Sequence, residues 1–572
     1  MLKRVSAPAS GTLENRLAAL VHTRFWLLVG LLGIAAILLR LPTLSSRSLW
    51  LDETYSAWFA AVPLHELWTQ VPLYETHPPL YYTLLKAWSA LAGRSEAGLR
   101  SLSVLASVLT VVLIPAGARL ARLGAAAERT ALLAGLFLAL NANSILFAQQ
   151  ARPYALQTLA GGLAVFFSCV LLTEVTRPGK PLPKPLRLWL SVGGLACCAG
   201  LTLWLHNTGV FAAFGIWTGM TVALLLNGPG PGRRQMLAVG LAGIGALLVW
   251  SPFIPMLIRQ SAAMDRLSYW ITFKPRNVTA AWSVISGWPT LHYPAAALAL
   301  ASFYYLWRHA RLYFWHLLCV LALPVLALAA YSYLVKPVFL SRLFAWLAPL
   351  AMMLLALGVA ALRPRWRLPA VAVMLALSAH AVLGFYRLRT EDWRDMLAQL
   401  ARETQPGDLV LAFPNEVQMP VAYYMKGTAP VIYLPGPFPA LGLARRYTGN
   451  SGAPNIALED VGRVRALVAG HRRVWLIERR ADLYDPRGLV MGELARAYRI
   501  SRIIDGNGAT IRLYEMKGAS RPLPYTGNVT LASSPPRRVD SPSVSFAPCR
   551  SAIDLMIASP RPLPAASLPG TR

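Results

Sequence analysis

Long apolar stretches separated by short arginine-bearing breaks occupy the first two-thirds of the chain. A helix that crosses a bilayer needs about 20 mostly apolar residues. Windows of that kind lie near 24–42, 99–118, 130–148, 155–174, 187–206, 209–227, 236–258, 290–307, 312–334, 342–362 and 368–386. The pattern predicts a polytopic all-α membrane region over residues 1–386 with eleven spans. Arg and Lys cluster at 119–129 (RLARLGAAAER), 177–187 (RPGKPLPKPLR), 233–234, 308–311 and 363–367 (RPRWR). Lys3, Arg4, Arg16 and Arg24 add to them near the N-terminus. The positive-inside rule assigns these segments to the cytoplasm. Sides then alternate without conflict only if residues 42–98 contain no span. Residues 80–93, LYYTLLKAWSALAG, number fourteen and include Lys86, which suits an interfacial or re-entrant helix. The alternative, a short crossing helix, would turn every later loop inside out.

Beyond residue 388 the pattern changes. EDWRDMLAQLARETQPGDLVLAFP reads as an amphipathic helix, a turn at Pro406-Gly407-Asp408 and a buried strand. APVIYLP, HRRVWLIE and ATIRLYEM read as further strands, with helical pattern near 457–468 and 490–498. Residues 388–517 are therefore expected to form a small soluble α/β domain on the same side as residues 42–98. Residues 518–572 hold ten prolines and many serines with little to bury, the composition of a disordered tail.

Composition agrees with a membrane protein. Of 572 residues, 56% are hydrophobic and 14% charged, against roughly 25% charged in an average soluble protein. Mean hydropathy is +0.47. The net charge of +30 does not imply nucleic acid, because the arginines punctuate apolar segments instead of forming a patch with interleaved aromatics. Cys169, Cys197, Cys198 and Cys319 lie in apolar segments and Cys549 in the tail, so no disulfide framework is expected. The first apolar run lacks a small-residue cleavage site and reads as a retained anchor.

Acids are scarce and unevenly placed. Between Phe25 and Tyr386 stand only Asp52, Glu53, Glu66, Glu75, Glu96, Glu128, Glu174 and Asp265. The first five fall in the loop between the first two spans. On the same predicted side lie YETHPPLYY (74–82), AQQARPYAL (148–156), LHN (205–207) and VKPVFLSR (335–342). Charges at membrane level are costly and tend to be functional. Asp52 and Glu53 can serve as catalytic carboxylates, or can cap a helix or pair with arginine. His77 can be a functional imidazole or a turn histidine ahead of Pro78-Pro79. Glu75 and His77 together are weak candidates for a divalent metal, since two ligands make a thin metal signal. Arg152, Lys336 and Arg342 can bind an anion or snorkel as flanking cations. A carboxylate can take a proton from an acceptor hydroxyl, and fixed cations can stabilise a departing phosphate. No P-loop and no GxGxxG motif opens a helix after a strand, so nucleotide binding has no support. A lipid-phosphate sugar suits an outward-facing site better than a cytoplasmic nucleotide sugar.

The segments SLWLDETYSA, ETHPPLYYTLLKAW, QQARPYAL and KPVFLSRLFAWLAPL, followed by DWRDMLAQL, PGDLVLAFP and AYYMKG, resemble bacterial integral-membrane glycosyltransferases of the GT-C fold. The chain is similar to dolichyl-phosphate-mannose protein mannosyltransferase-like proteins (family 39) and to lipid A aminoarabinose transferases, from about residue 24 to 517. The resemblance implies Asp52 as catalytic base with Glu53 beside it. It implies His77, Arg152, Lys336 and Arg342 as holders of the donor phosphate, and Glu75, Tyr81, Tyr154 and His206 as substrate contacts. It departs from the family at Gln150, where an acid is common, and at LHN, which replaces a more aromatic stretch.

The expected protein is an inverting glycosyltransferase of the bacterial inner membrane. It would move a sugar from a polyprenyl-phosphate carrier to a lipid, glycan or protein acceptor. A transporter or flippase of lipid-linked glycans is the alternative, and a scaffold with a degenerate site is a third. Transporters place polar groups near the bilayer midplane, whereas here they concentrate at one face. The arginine pattern makes the topology testable. Reporter fusions at Gly407 and Arg233 should give opposite signals, and equal signals would defeat the spatial argument.

Overall fold

A computed structural model describes residues 21, 23–176, 185–227, 232–264, 273–425, 430–447 and 452–518. The expected tail, Cys549 and most of the 177–187 cluster lie outside the described residues. Among the described residues, eight helices are long and apolar enough to cross a membrane. They are Glu96–Leu120, Tyr154–Val175, Leu186–Leu205, Gly209–Leu226, Arg233–Ser261, Arg311–Leu334, Ser341–Ala361 and Pro364–Tyr386. The pair Ala125–Ala139 and Ala142–Ala148, bent by 63°, makes a ninth if counted as one span. The two remaining expected spans are also helical. Phe25–Leu38 is apolar but has only 14 residues, and His292–His309 carries several tyrosines and ends on Arg308-His309.

The bend in the third span has a local cause. Asn141 accepts from the Ser144 N–H at 2.8 Å and so caps a new helix within the apolar run. Its amide also donates to the Ile285 carbonyl at 3.3 Å, tying the break to the helix Arg276–Ser286.

Residues 42–98 contain short helices at Leu51–Ala61, Leu64–Thr69 and Leu80–Ala92. None of them is among the candidate spans. In the last, Lys86 is half-buried and donates to the carbonyls of Ala60 (3.2 Å) and Val62 (2.9 Å) at the end of Leu51–Ala61.

The C-terminal unit has five strands: β1 Leu409–Phe413, β2 Val431–Tyr433, β3 Arg473–Glu478, β4 Tyr498–Asp505 and β5 Thr510–Met516. They lie in the order β2-β1-β3-β5-β4. The first three pair in parallel, and β5 runs antiparallel to β3 and β4. Alternation along a strand splits its side chains between two faces. Val410 and Ala412 join the core under the helix Trp393–Glu403, while Leu409, Leu411 and Phe413 join the opposite core. The sequence reading missed β4. It is an edge strand with mostly exposed residues between Tyr498 and Ile504, so no buried face marks it.

This unit sits directly on the 42–98 segment. The Leu49 N–H donates to Tyr424 Oη (2.7 Å), and Ser48 Oγ donates to the Glu391 carbonyl (2.5 Å). Tyr423 Oη donates to the Arg94 carbonyl (2.6 Å), and Arg394 pairs with Glu96 (3.0 Å). The two segments therefore share one side of the bundle.

Close helix contact inside the bundle depends on small residues. A Cβ added at Gly358 would lie 2.8 Å from the Leu298 carbonyl carbon, against backbone that cannot yield. Gly358→Val should therefore lower the thermal stability of the purified protein, by an overpacking cost of about 1–3 kcal/mol. An unchanged melting temperature would show that the two helices do not meet there.

Candidate active site

The helix Leu51–Ala61 begins at the carboxylate pair. Acids in a first turn favour helix formation because they face the positive end of the dipole. The two carboxylates nevertheless do different things. Glu53 is fully buried, and both its oxygens are engaged. Oε1 accepts from Arg100 Nε (2.8 Å) and the Ala151 N–H (2.8 Å). Oε2 accepts from Arg100 Nη2 (2.6 Å) and the Trp50 N–H (3.3 Å). Arg100, in the span Glu96–Leu120, also donates to the carbonyls of Leu44 (2.8 Å), Arg47 (2.8 Å) and Ser48 (2.9 Å). Of the roles open for Glu53 in the sequence, two are present: it pairs with arginine, and it caps its own helix through the Trp50 N–H.

Asp52 is the accessible member, with 24% of its side chain exposed. Its Oδ2 lies 3.5 Å from Arg342 Nη2 and 3.8 Å from Arg152 Nη2. Burial alone would raise its pKa, but the Arg152 and Arg342 guanidiniums outweigh that and hold it below the usual carboxylate range. It is ionised at neutral pH. Both contacts are looser than a charge-assisted hydrogen bond. The Nε atoms of Arg152 and Arg342 make no hydrogen bond among the described residues. The two cations thus keep donor capacity in reserve.

Arg152 directly precedes Pro153, the N-cap residue of the helix Tyr154–Val175. Its Nη1 donates to the Asp52 carbonyl at 3.2 Å, and its Nη2 lies 3.1 Å from His77 Nε2. The other ring nitrogen of His77 meets Glu75 Oε1 at 2.5 Å. Burial and then Arg152 lower the His77 pKa against the pull of Glu75. Burial sets the direction for His206 too, with His77 and Arg152 adding to it, and its pKa falls well below the usual range. His206 is therefore neutral at neutral pH. The two imidazoles meet edge to face, centroids 4.9 Å apart. Tyr154 lies 6.4 Å from the His206 ring and 5.8 Å from the Arg342 guanidinium.

Asp52, Glu75, His77, Arg152, Tyr154, His206 and Arg342 are thus brought together. Tyr81 is fully buried beneath them beside Tyr82. Lys336 stands just past the span Arg311–Leu334, its N–H on the Tyr331 carbonyl (3.1 Å). No described contact brings its ammonium to Asp52.

For a divalent metal the arrangement fits poorly. No group of three or more His, Cys, Asp or Glu residues among the described residues has ligand geometry. Both ring nitrogens of His77 are engaged, one with Glu75 and one facing the Arg152 guanidinium.

Sequence reasoning missed several residues that shape the site. Gln260 donates to the carbonyls of Glu75 and His77, and Asn207 donates to the Thr76 carbonyl (2.8 Å) and to Gln260 Oε1 (2.9 Å). Together they clamp the 75–77 loop. Asn207 carried a signal as part of LHN, and Arg100 as a charge inside an apolar run. Gln260 at the end of an apolar helix carried little.

No protein-family model and no curated protein matches this chain. Among solved structures it is similar to ArnT from Cupriavidus metallidurans in the apo state. The TM-score is 0.60 at 13% identity, covering 86% of this chain and 98% of that one. It is also similar to the same protein bound to undecaprenyl phosphate, with TM-score 0.53 and 13% identity over 87% of this chain and 100% of that one. The likeness at this identity is one of fold: this chain has the GT-C fold.

The Glu53–Arg100 pair predicts a clear mutational pattern. Arg100→Met should strand a buried carboxylate, cost about 3–5 kcal/mol and cut the yield of folded protein. Adding Glu53→Gln removes the stranded charge, so the double variant should recover much of that yield on size-exclusion chromatography. Equal yields for wild type and Arg100→Met would show that the pair does not hold the site.

Proposed function

On the premise of the GT-C fold, we propose that this protein is an inverting glycosyltransferase working at the outer face of a bacterial inner membrane. It moves a sugar from a polyprenyl-phosphate carrier to an acceptor hydroxyl or amine. The observation that carries this reading is Asp52, an accessible carboxylate 3.5 Å and 3.8 Å from two guanidiniums. That pairing sets a proton acceptor beside an anion cradle. The outward orientation follows from the positive-inside rule. The fold neighbour bound to undecaprenyl phosphate supports a lipid-phosphate donor.

The chemistry balances on these groups. Asp52 takes the proton of the acceptor oxygen or nitrogen, whose electron pair forms the new bond to the anomeric carbon. The bond from that carbon to the phosphate oxygen breaks on the opposite side, and the polyprenyl phosphate leaves with the electron pair. Arg152 and Arg342 turn to the growing negative charge, and Lys336 is a further candidate cation for the carrier. As the guanidiniums engage phosphate, Asp52 loses its partners and gains basicity when the proton must be taken. His77, held between Glu75 and Arg152, fixes the direction of the Arg152 fork. Tyr154 and His206 flank these groups beside the end of the span Leu186–Leu205.

Comparing glycolipids and glycoproteins of cells with and without this gene identifies the product. With that assay, Asp52→Asn should lose about 10²–10⁴-fold in transfer while folding is retained. Normal transfer by Asp52→Asn would sink the reading. Arg342→Ala should weaken donor binding by about 1.5–3 kcal/mol, roughly ten- to a hundredfold. Unaltered donor affinity would make Arg342 a snorkelling anchor.

A further inference from the structure

The helix that carries Asp52 is capped from a distant part of the chain. A helix leaves its first N–H groups without intrahelical partners. Trp50 carries no acceptor suited to this role, and the Leu51 N–H donates instead to Glu391 Oε2 at 2.7 Å, 340 residues away. Glu391 is itself held on four sides. The same oxygen accepts from Trp393 Nε1 (2.7 Å), and its backbone carbonyl accepts from Ser48 Oγ (2.5 Å). Its Oε1 accepts from Arg479 Nη2 (3.1 Å), while Arg479 Nη1 donates to Glu416 (2.6 Å). At the β4–β5 turn, Gly508 adopts φ +94°, and a Cβ there would come within 2.9 Å of Glu391 Cγ. Only a residue without a side chain lets the turn close over the carboxylate.

We propose that Glu391, locked by Arg479, is a positioning residue that fixes the first turn of the Leu51–Ala61 helix. It thereby sets where Asp52 stands relative to Arg152 and Arg342. The inference rests on the glycosyl-transfer reading for its consequence, though the capping itself does not. Leu51 directly precedes Asp52, so a shift of this N–H moves the carboxylate with it. A displacement of about 1 Å at a reacting group can cost on the order of a hundredfold in rate. The arrangement also adds charge logic, since Arg479 is among the cations that favour the ionised form of Asp52. On this account the C-terminal sheet is a component of the active site and not an appendage.

The test uses the full-length protein in lipid nanodiscs and reads amide exchange by mass spectrometry. Glu391→Ala should speed exchange at residues 49–54 by about tenfold through the loss of one charge-assisted bond, with β1 and β3 protected as in wild type. Arg479→Lys keeps the charge but not the fork and should give a smaller gain confined to the same segment. Wild-type exchange at 49–54 in Glu391→Ala overturns the proposal. If Glu391→Ala also unprotects the sheet, Arg479→Lys decides: a gain confined to 49–54 supports the proposal and none overturns it. Transfer in cells, at matched protein level, separates this inference from the functional reading. Asp52→Asn silent and Glu391→Ala reduced about tenfold or more supports both. Asp52→Asn silent with Glu391→Ala at wild-type transfer overturns the positioning role alone. Asp52→Asn active overturns the functional reading, and the exchange data then judge the cap.

Discussion

The carboxylate of Glu53 lies where water cannot reach it, and its charge is met by Arg100 through two hydrogen bonds of 2.8 Å and 2.6 Å. Much of the site depends on that contact. An ion buried at the membrane boundary is tolerated only when its partner is fixed and its remaining lone pairs are filled. Here the Ala151 and Trp50 N–H groups fill them. The guanidinium is in turn saturated by the carbonyls of Leu44, Arg47 and Ser48. One pair therefore fixes the entry to the Leu51–Ala61 helix, the chain at Ala151 and the top of the Glu96–Leu120 span. Arg152 follows Ala151 and Asp52 precedes Glu53, so the positions of both derive from these buried neighbours.

The division of labour between adjacent acids explains what the sequence could and could not disclose. Asp52 and Glu53 are alike as letters, and only solvent access separates them. The membrane helices were legible because the bilayer demands long apolar runs, and the sheet strands with a buried face were legible for a similar reason. β4 escaped because an exposed edge strand has no such face to display. Arg152, Arg342 and His77 stood out because charge and imidazole are rare in apolar surroundings. Glu391, Arg479 and Glu416 belong to the C-terminal unit, where charged residues are common and carry no mark. Their meeting depends on strand order and on the approach of the sheet to the 42–98 segment, which no local pattern encodes.

The 75–77 loop shows a different economy. Its His77 ring is gripped by Glu75 and Arg152, while its backbone is gripped by Gln260 and Asn207. The span Arg233–Ser261 and the connection after Leu205 thus hold the loop by its carbonyls, independently of its side chains. Backbone clamps of this kind tolerate side-chain variation in the loop, since amide donors recognise a carbonyl whatever residue bears it.

The dependence of Leu51 on Glu391 has a consequence for the birth of the protein. Ribosomal synthesis runs from the N-terminus, so the Asp52 helix is made long before residues 391 and 479 exist. Its first turn lacks its cap until Glu391 has been made, and that cap lacks its lock until Arg479 follows β3. A nascent or truncated chain ending among the helices would present the carboxylate and its arginines without the device that aligns them. If Glu391 positions Asp52 as proposed, the site is aligned only once the C-terminal unit has docked on the 42–98 segment.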